Sequence, residues 1–405
     1  MKKFIKQYFL LIFMFFLIPL SLQTIEAEAA KKPVYTITPQ SKPYKNKFTN
    51  LGTYNNNTKQ YYLIRSYLEQ LQKTGGGTLV LKSGTYNITN TLFVPSNVTI
   101  RFKDGVVINK RTKTGTSGLK ATGSLFQCVA PSKAGKKGCM KQYNGMKNIS
   151  FIGEGTVIID MQYTKNCVGI IIAHNQNVNV KNITFQNMKG GHFLEVDASK
   201  NVRIVNNTFK NHKASANGNK EAINIDTPDK NTNGLNVDWT SYDCTPNKNV
   251  LIQGNTFLSL ERAIGTHKYS QGKLHKNIKI IDNIINYCDQ DPIRVMNWDS
   301  PTITGNYISN VDYGNGTYRA ILASGMHNPT IQNNVFENVA RPIQIMAWKN
   351  TGAGEKYDII YSTLSEENIA AMQQNTLVNV GETFIRYNTE YNNYKKVETY
   401  PIFGY

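Results

Sequence analysis

"NVRIVNNTFKNH", residues 201–212, joins a strand to a corner. Val202 and Ile204 alternate with Arg203 and Val205, the period-two pattern of a strand with one buried face. Two asparagines and Phe209 follow. The same ending recurs as "NITFQNM" (182–188), "GNTFLSL" (254–260), "DNIINYC" (282–288), "GNYISNV" (305–311), "NNVFENV" (333–339) and "QNTLVNV" (374–380). Most steps between copies are 23 to 28 residues, and steps of 48 and 41 leave room for inserted loops. Other short alternations, such as "FLEVD" and "AINID", fill each copy. Strands at this period, with Asn and Gly between them, stack as coils of a parallel β-helix. Asn adopts left-handed corner conformations and ladders with Asn in the next coil. No coil buries its inner face alone, so the coils share one elongated core. The pattern predicts an all-β solenoid, a single domain over residues 30–405.

A solenoid needs capped ends. Thr58 starts a helical pattern whose one-sided stripe is Leu63, Ile64, Tyr67, Leu68 and Leu71, and Gly75-Gly76-Gly77 stops it. "TLVLKSGTYNITNTLFVPSNVTIRF" (78–102) then supplies the first strands. This capping helix, its triple glycine and "GTY…SNVTI" resemble the opening of the pectate-lyase and polygalacturonase superfamily. The resemblance implies a right-handed parallel β-helix and action on polysaccharides.

Residues 1–29 carry Lys2, Lys3 and Lys6, an apolar run from Phe9 to Leu22, and Ala27-Glu28-Ala29. This is the plan of a secretory signal peptide. The expected product is a secreted, extracellular monomer, with no membrane association after cleavage. The whole chain has 46 Lys and Arg against 27 Asp and Glu, a formal charge of +19. Removing three lysines and two glutamates with the leader leaves +18 (19 − 3 + 2). Outside a cell such charge favours polyanions, of which an acidic polysaccharide is the expected partner and nucleic acid is not. Of five cysteines, Cys128 and Cys139 are close enough in sequence to bridge or to stay as free thiols. Cys167, Cys244 and Cys288 show no metal-ligand spacing.

Aligning the strand ahead of each corner gives "FLEVDA", "AINIDT", "AIGTHK", "PIRVMN", "AILASG" and "PIQIMA". Leu194, Ile223, Ile264, Ile293, Ile321 and Ile343 form one inward column. Val196, Ile225, Thr266, Val295, Ala323 and Ile345 form the next. The residues between them point outward. One outward column runs Glu195, Asn224, Gly265, Arg294, Leu322, Gln344; the other runs Asp197, Asp226, His267, Met296, Ser324, Met346. Neighbouring strands lie ~4.8 Å apart, so Asp197 and Asp226 stand side by side. Adjacent carboxylates repel and split their pKa values. The inserted segments 213–220 and 228–245 flank the Asp226 strand and are placed to wall a cleft. Glu221, at the start of that strand, falls outside both columns.

The order of these groups also resembles polygalacturonase-like glycoside hydrolases, in which consecutive coils carry Asn-x-Asp, an Asp pair, Gly-His-Gly and Arg-x-Lys. Here "NID" (224–226), "GTH" (265–267) and "RVM" (294–296) fall on successive coils. The pattern departs in two places: no adjacent Asp pair exists, and Met296 stands where a lysine is expected. The hydrolase reading makes Asp226 the general acid and Asp197 or Glu195 the base, with His267 orienting them. Arg294 and Lys268 hold substrate anions, and Asn224 takes part in binding. Tyr269, Trp298 and Trp348 are the candidate sugar-stacking platforms. No metal or cofactor is expected for a hydrolase. Two alternatives stay open. A polysaccharide lyase would use Lys268, His267 or Arg294 as base, with Ca²⁺ on Glu195, Asn224 and Asp226. A non-catalytic adhesin or glycan-binding repeat protein is the other, and it predicts that the acidic cluster can be neutralised with little effect.

Overall fold

The computed structural model describes residues 32–214, 220–312, 316–349 and 357–404. The expected signal peptide lies outside them, as does most of segment 213–220. From Lys32 onward the chain is one compact unit. Each coil contributes three strands, so strands of one kind stack in parallel along the molecule. In the first sheet, Leu194–Asp197 pairs with Val168–Ala173 on one side and Glu221–Asp226 on the other. In the second, Lys200–Val205 lies between Gln176–Lys181 and Lys248–Gln253. In the third, Thr208–His212 lies between Thr184–Met188 and Thr256–Leu260.

The core fills the space between the sheets. Both expected inward columns are buried along their whole length. Phe209, from the opening sequence, stacks on Phe185 at 5.2 Å and on Phe257 at 5.0 Å. Stacked aromatics one coil apart add directional packing to simple area burial. The asparagine before each corner explains the recurrence of the motif. Asn207, Asn255, Asn283, Asn306, Asn334 and Asn375 are buried, and from Asn255 onward each side-chain oxygen accepts the backbone N–H of the preceding member, while that of Asn207 accepts from Ile183. A turn inside a solenoid has no water to satisfy its polar groups; the ladder satisfies them. A second, outer ladder at Asn177, Asn201, Asn249 and Asn277 has φ between 53° and 57°, the left-handed region that Asn tolerates.

Helix α1, Lys59–Lys73, covers the first coils and buries Leu63, Ile64, Leu68 and Leu71. It ends as its sequence directs: the Gly76 N–H bonds to the Leu71 carbonyl at 2.8 Å, with Gly75 at φ 72°. At the other end, helix α2, Glu366–Met372, is followed by Val397–Pro401, which pairs antiparallel with Phe384–Asn388 and closes the exposed sheet edge. The five cysteines are free thiols.

Two of the aromatic platforms are corrected by this packing. Trp298 lies within its strand, Ile293–Asp299, is fully buried in the main core, and donates from its indole N–H to the Thr266 hydroxyl at 2.9 Å. Tyr269 is fully buried with Met296 and Ile360, beside Tyr357. Neither ring has a face open to a sugar. Trp348 is half-buried at the edge of the same cluster, 5.8 Å from the Arg294 guanidinium.

Candidate functional site

The first sheet aligns Glu195 with Asn224 and Asp197 with Asp226. The next coils align Asn224 with Gly265, then Gly265 with Arg294. This is the expected outward order. Gly265 is needed there, because a β-carbon at that position would lie 2.7 Å from the Arg294 carbonyl. Its strand, Arg262–Gly265, stops early, so His267 is not paired across from Asp226. The chain instead bends over the carboxylate: the backbone N–H groups of His267 and Lys268 both donate to Asp226 Oδ1 at 3.0 Å. The His267 ring is thereby held with Nε2 at 3.6 Å from Asp226 Oδ2.

Two residues complete the constellation: Glu221, which the sequence reading set outside the columns, and His192, which it did not single out. Glu221 is fully buried, and its carboxylate accepts from His267 Nδ1 at 3.0 Å. It is a central member rather than a bystander at the strand's start. His192 stacks on His267 with ring centres 5.5 Å apart and donates from Nδ1 to the Glu221 carbonyl at 2.6 Å. Asn224 ties the two halves together, donating to Glu195 Oε1 at 2.9 Å and facing His267 Nδ1 with its own oxygen at 3.1 Å. A signal for Glu221 existed in the sequence: an acidic residue beside a buried alanine and isoleucine is costly unless partnered.

Burial and mutual charge divide these groups into two states. Burial, then the Asp226 charge, pushes the Glu195 carboxyl up to about 7. Burial, then Glu195 and Asp226, holds Asp197 well above the usual carboxylate range. Burial works against the Glu221 carboxylate too, but His267, His192 and Arg262 outweigh it and hold Glu221 below the usual range. Burial likewise opposes a charge on His267, yet Asp226 and Glu221 outweigh it and raise the imidazole. His192 goes the other way, down to about 3, through burial and the neighbouring His267 charge. The site therefore offers a proton-bearing carboxyl, Glu195, beside an imidazole poised to hold a proton.

A cleft of about 560 Å³ opens over this floor, with His192, Glu195, Asn224, Asp226, His267 and Lys268 on its lining. Its far wall is the insertion expected at 228–245. Trp239 anchors that wall, packing with Val129, Met140, Ile171 and Leu235 and donating from its indole N–H to Gln127 at 2.7 Å. The neighbouring 128–146 loop is knitted to it through backbone bonds from Met140 to Trp239 and from Ser241 to Met140. Asp229 fixes the base of the insertion, accepting from the Ser270 and Tyr357 hydroxyls. Lys268 donates to the Asn233 carbonyl at 2.8 Å, so it braces the wall as well as lining the cleft.

Two expected roles change. Asp197 is completely buried at the corner end of its strand, next to Ala198 at φ 44°, and is not on the cleft lining. Its burial leaves it without access to the cleft, and its carboxyl interacts with that of Glu195. Arg294 is also off the lining, largely buried over Trp348, with burial and Arg262 lowering it to about 10. The calcium arrangement does not fit either. Asn224 gives its amide nitrogen to Glu195 and its oxygen to His267, so Glu195, Asn224 and Asp226 do not aim free oxygens at a common point. The donor atoms of His192, Glu221 and His267 lie within 4.8 Å of one another. That nitrogen-rich set suits a transition metal better than calcium, and the Glu221–His267 hydrogen bond satisfies two of its atoms without one.

The stacked strands and buried inward columns define a parallel β-helix, the fold of the solved structures that match it with TM-scores above 0.5. No family model matches the chain. A curated relative, plasmin and fibronectin-binding protein A of Streptococcus pneumoniae, is 25% identical over 263 residues, taking in 58% of this chain and 35% of the relative. The chain thus spans about a third of that protein's length. Among solved structures, the Streptococcus pneumoniae surface protein and adhesin PfbA matches with a TM-score of 0.62 at 19% identity, over 87% of this chain and 89% of that one. A second structure of the same surface adhesin gives 0.59 at 19% identity, over 88% and 80%. No helix among the described residues is long and apolar enough to cross a membrane.

Proposed function

We propose that the protein works outside the cell, secreted or at the surface, as a glycan-binding β-helix protein whose ligand lies in the Glu195–Asp226–His267 cleft. The observation that carries this is the convergence of ionisable side chains on the floor of one open cleft, while later coils present Leu322 and Met346 on the same face. Buried ionisable groups are costly unless they serve a site. Apolar Phe93, Leu235 and Val237 alternate with polar groups on the cleft lining, the mixture that suits a sugar's apolar faces and hydroxyls. The likeness to a surface adhesin supports an extracellular binding role. The test is binding of a glycan panel, uronic-acid polymers included, to the protein and to Asp226→Asn. Tight binding of one glycan that persists at moderate salt and is lost in the variant is expected; a panel in which no glycan distinguishes the two proteins sinks the cleft as the site.

A second reading adds catalysis, and one observation favours it: Glu195, raised to about 7, shares the lining with Asp226 and His267. A proton-bearing carboxyl beside a second carboxylate is the equipment of glycoside hydrolysis. Glu195 then replaces Asp226 as proton donor, Asp226 serves as the carboxylate partner, and Glu221 positions His267. New reducing ends from the bound glycan, without the ultraviolet band of an unsaturated uronate, are the expected sign. Appearance of that band points instead to β-elimination with His267 or Lys268 as base, and intact glycan leaves binding alone.

A further inference from the structure

The second sheet carries a feature that the cleft does not use. Its register aligns Lys147, Gln176, Lys200, Lys248 and Lys276 across five consecutive coils. Three of these four lysines are exposed, and Lys200 is half-buried with its ammonium 5.4 Å from the Tyr143 ring. Coils rise ~4.8 Å each, so like charges stand directly opposite one another, which is destabilising. Among the described residues, only Lys276 has an acidic partner, Asp299 at 3.8 Å, at the end of the row. A fold selected for stability alone gains by alternating these charges.

A groove of about 480 Å³ lies beside the row, lined by residues that follow Gln176, Lys200, Lys248 and Lys276 in their strands. Arg203 and Lys279 line it with the ladder amides of Asn201, Asn249 and Asn277, and Leu251 gives it an apolar patch. Arg203, Leu251 and Lys279 are themselves one aligned column. None of these residues lies on the first cleft.

From this juxtaposition we infer that the lysine row and its groove form a second binding track for a linear acidic polysaccharide lying along the solenoid axis. The row supplies four positive charges over five coils, three of them on successive coils at Lys200, Lys248 and Lys276. That suits a chain with one carboxylate per sugar ring better than a nucleic-acid strand, whose charges recur every ~3.4 Å. The asparagine amides match hydroxyls, and Leu251 offers a surface to the apolar side of a ring. The track does not depend on what the first cleft binds or whether it cleaves.

The test uses polygalacturonate as probe, at low and at moderate salt. Replacing Lys200, Lys248 and Lys276 with Gln is expected to weaken binding at least tenfold at low salt. It also flattens the dependence of log affinity on log salt by about 2 to 3. Replacing Lys45, Lys73 and Lys120, which are exposed elsewhere, removes the same charge and is expected to change affinity less than twofold. The row variant should melt at or above the parent temperature, since repulsion is relieved; Lys248→Gln alone serves if the triple variant does not fold. Equal losses in both triple variants overturn the track, as does duplex DNA competing as well as polygalacturonate. Failure of the first cleft is told apart by Asp226→Asn, which should leave the salt-dependent binding in place.

Discussion

Asp226 combines a structural role with a place on the floor of the cleft. Its Oδ1 takes the backbone N–H groups of His267 and Lys268, so Asp226→Asn keeps an acceptor there and is expected to melt close to the parent. Asp226→Ala strands two buried donors and should cost on the order of 2 kcal/mol, read by denaturant unfolding. Glu195 gives the opposite kind of prediction. Its folded-state pKa of about 7 lies above the ordinary value. Between those two values the unfolded chain has lost the proton that the folded chain keeps, so stability falls as pH rises to about 7 and then levels off. Glu195→Gln should therefore melt with the parent at pH 4 and above it at pH 8, by up to on the order of 3 kcal/mol. A variant equally stable at both pH values, relative to the parent, contradicts the raised carboxyl. Glu221→Gln keeps the shape and, with Asp226 left in place, removes the second of the two charges that hold up the His267 pKa; the imidazole titration, followed by NMR, should move to lower pH.

Corners and ladders decide stability at the level of the element. Asn283 sits in the middle of the buried ladder: its oxygen accepts from the Asn255 backbone, and its amide donates to Ile252 and Asn306. Asn283→Ala leaves several buried groups unpaired and is expected to cost on the order of 2–4 kcal/mol. Asn277, half-buried in the outer ladder, should cost less than about 1 kcal/mol when changed to Ala. Similar losses at both positions refute the ladder argument. The element scale also explains the aromatic misplacement. Trp298, Tyr269 and Trp348 follow equivalent strands, and sequence position alone gives them equivalent faces. The Ile293–Asp299 strand continues through Trp298 while the Arg262–Gly265 strand ends before Tyr269, so equal spacing leads to different directions.

For the whole molecule, the two ends carry the risk. The strand Val397–Pro401 covers the last parallel edge, and an uncovered edge pairs with other chains. A chain cut after Asn388 is expected to associate at concentrations where the parent stays monodisperse, as light scattering would show; a monodisperse truncation means another segment guards the edge. Local features are legible in the chain itself: the repeat, the inward columns, the capping helix and the placement of Glu195, Asn224, Asp197 and Asp226 between those columns. Periodicity is local, and register follows from it because a shift of one residue turns a whole strand inside out. Only the folded chain settles which of these groups line the cleft. Glu221 and His192 joined the site because chain bends bring them to His267, and Asp197 left it because the corner encloses it. No spacing rule encodes those events. They depend on where a strand stops and which loop closes over it, and those are set by packing between residues far apart in the chain.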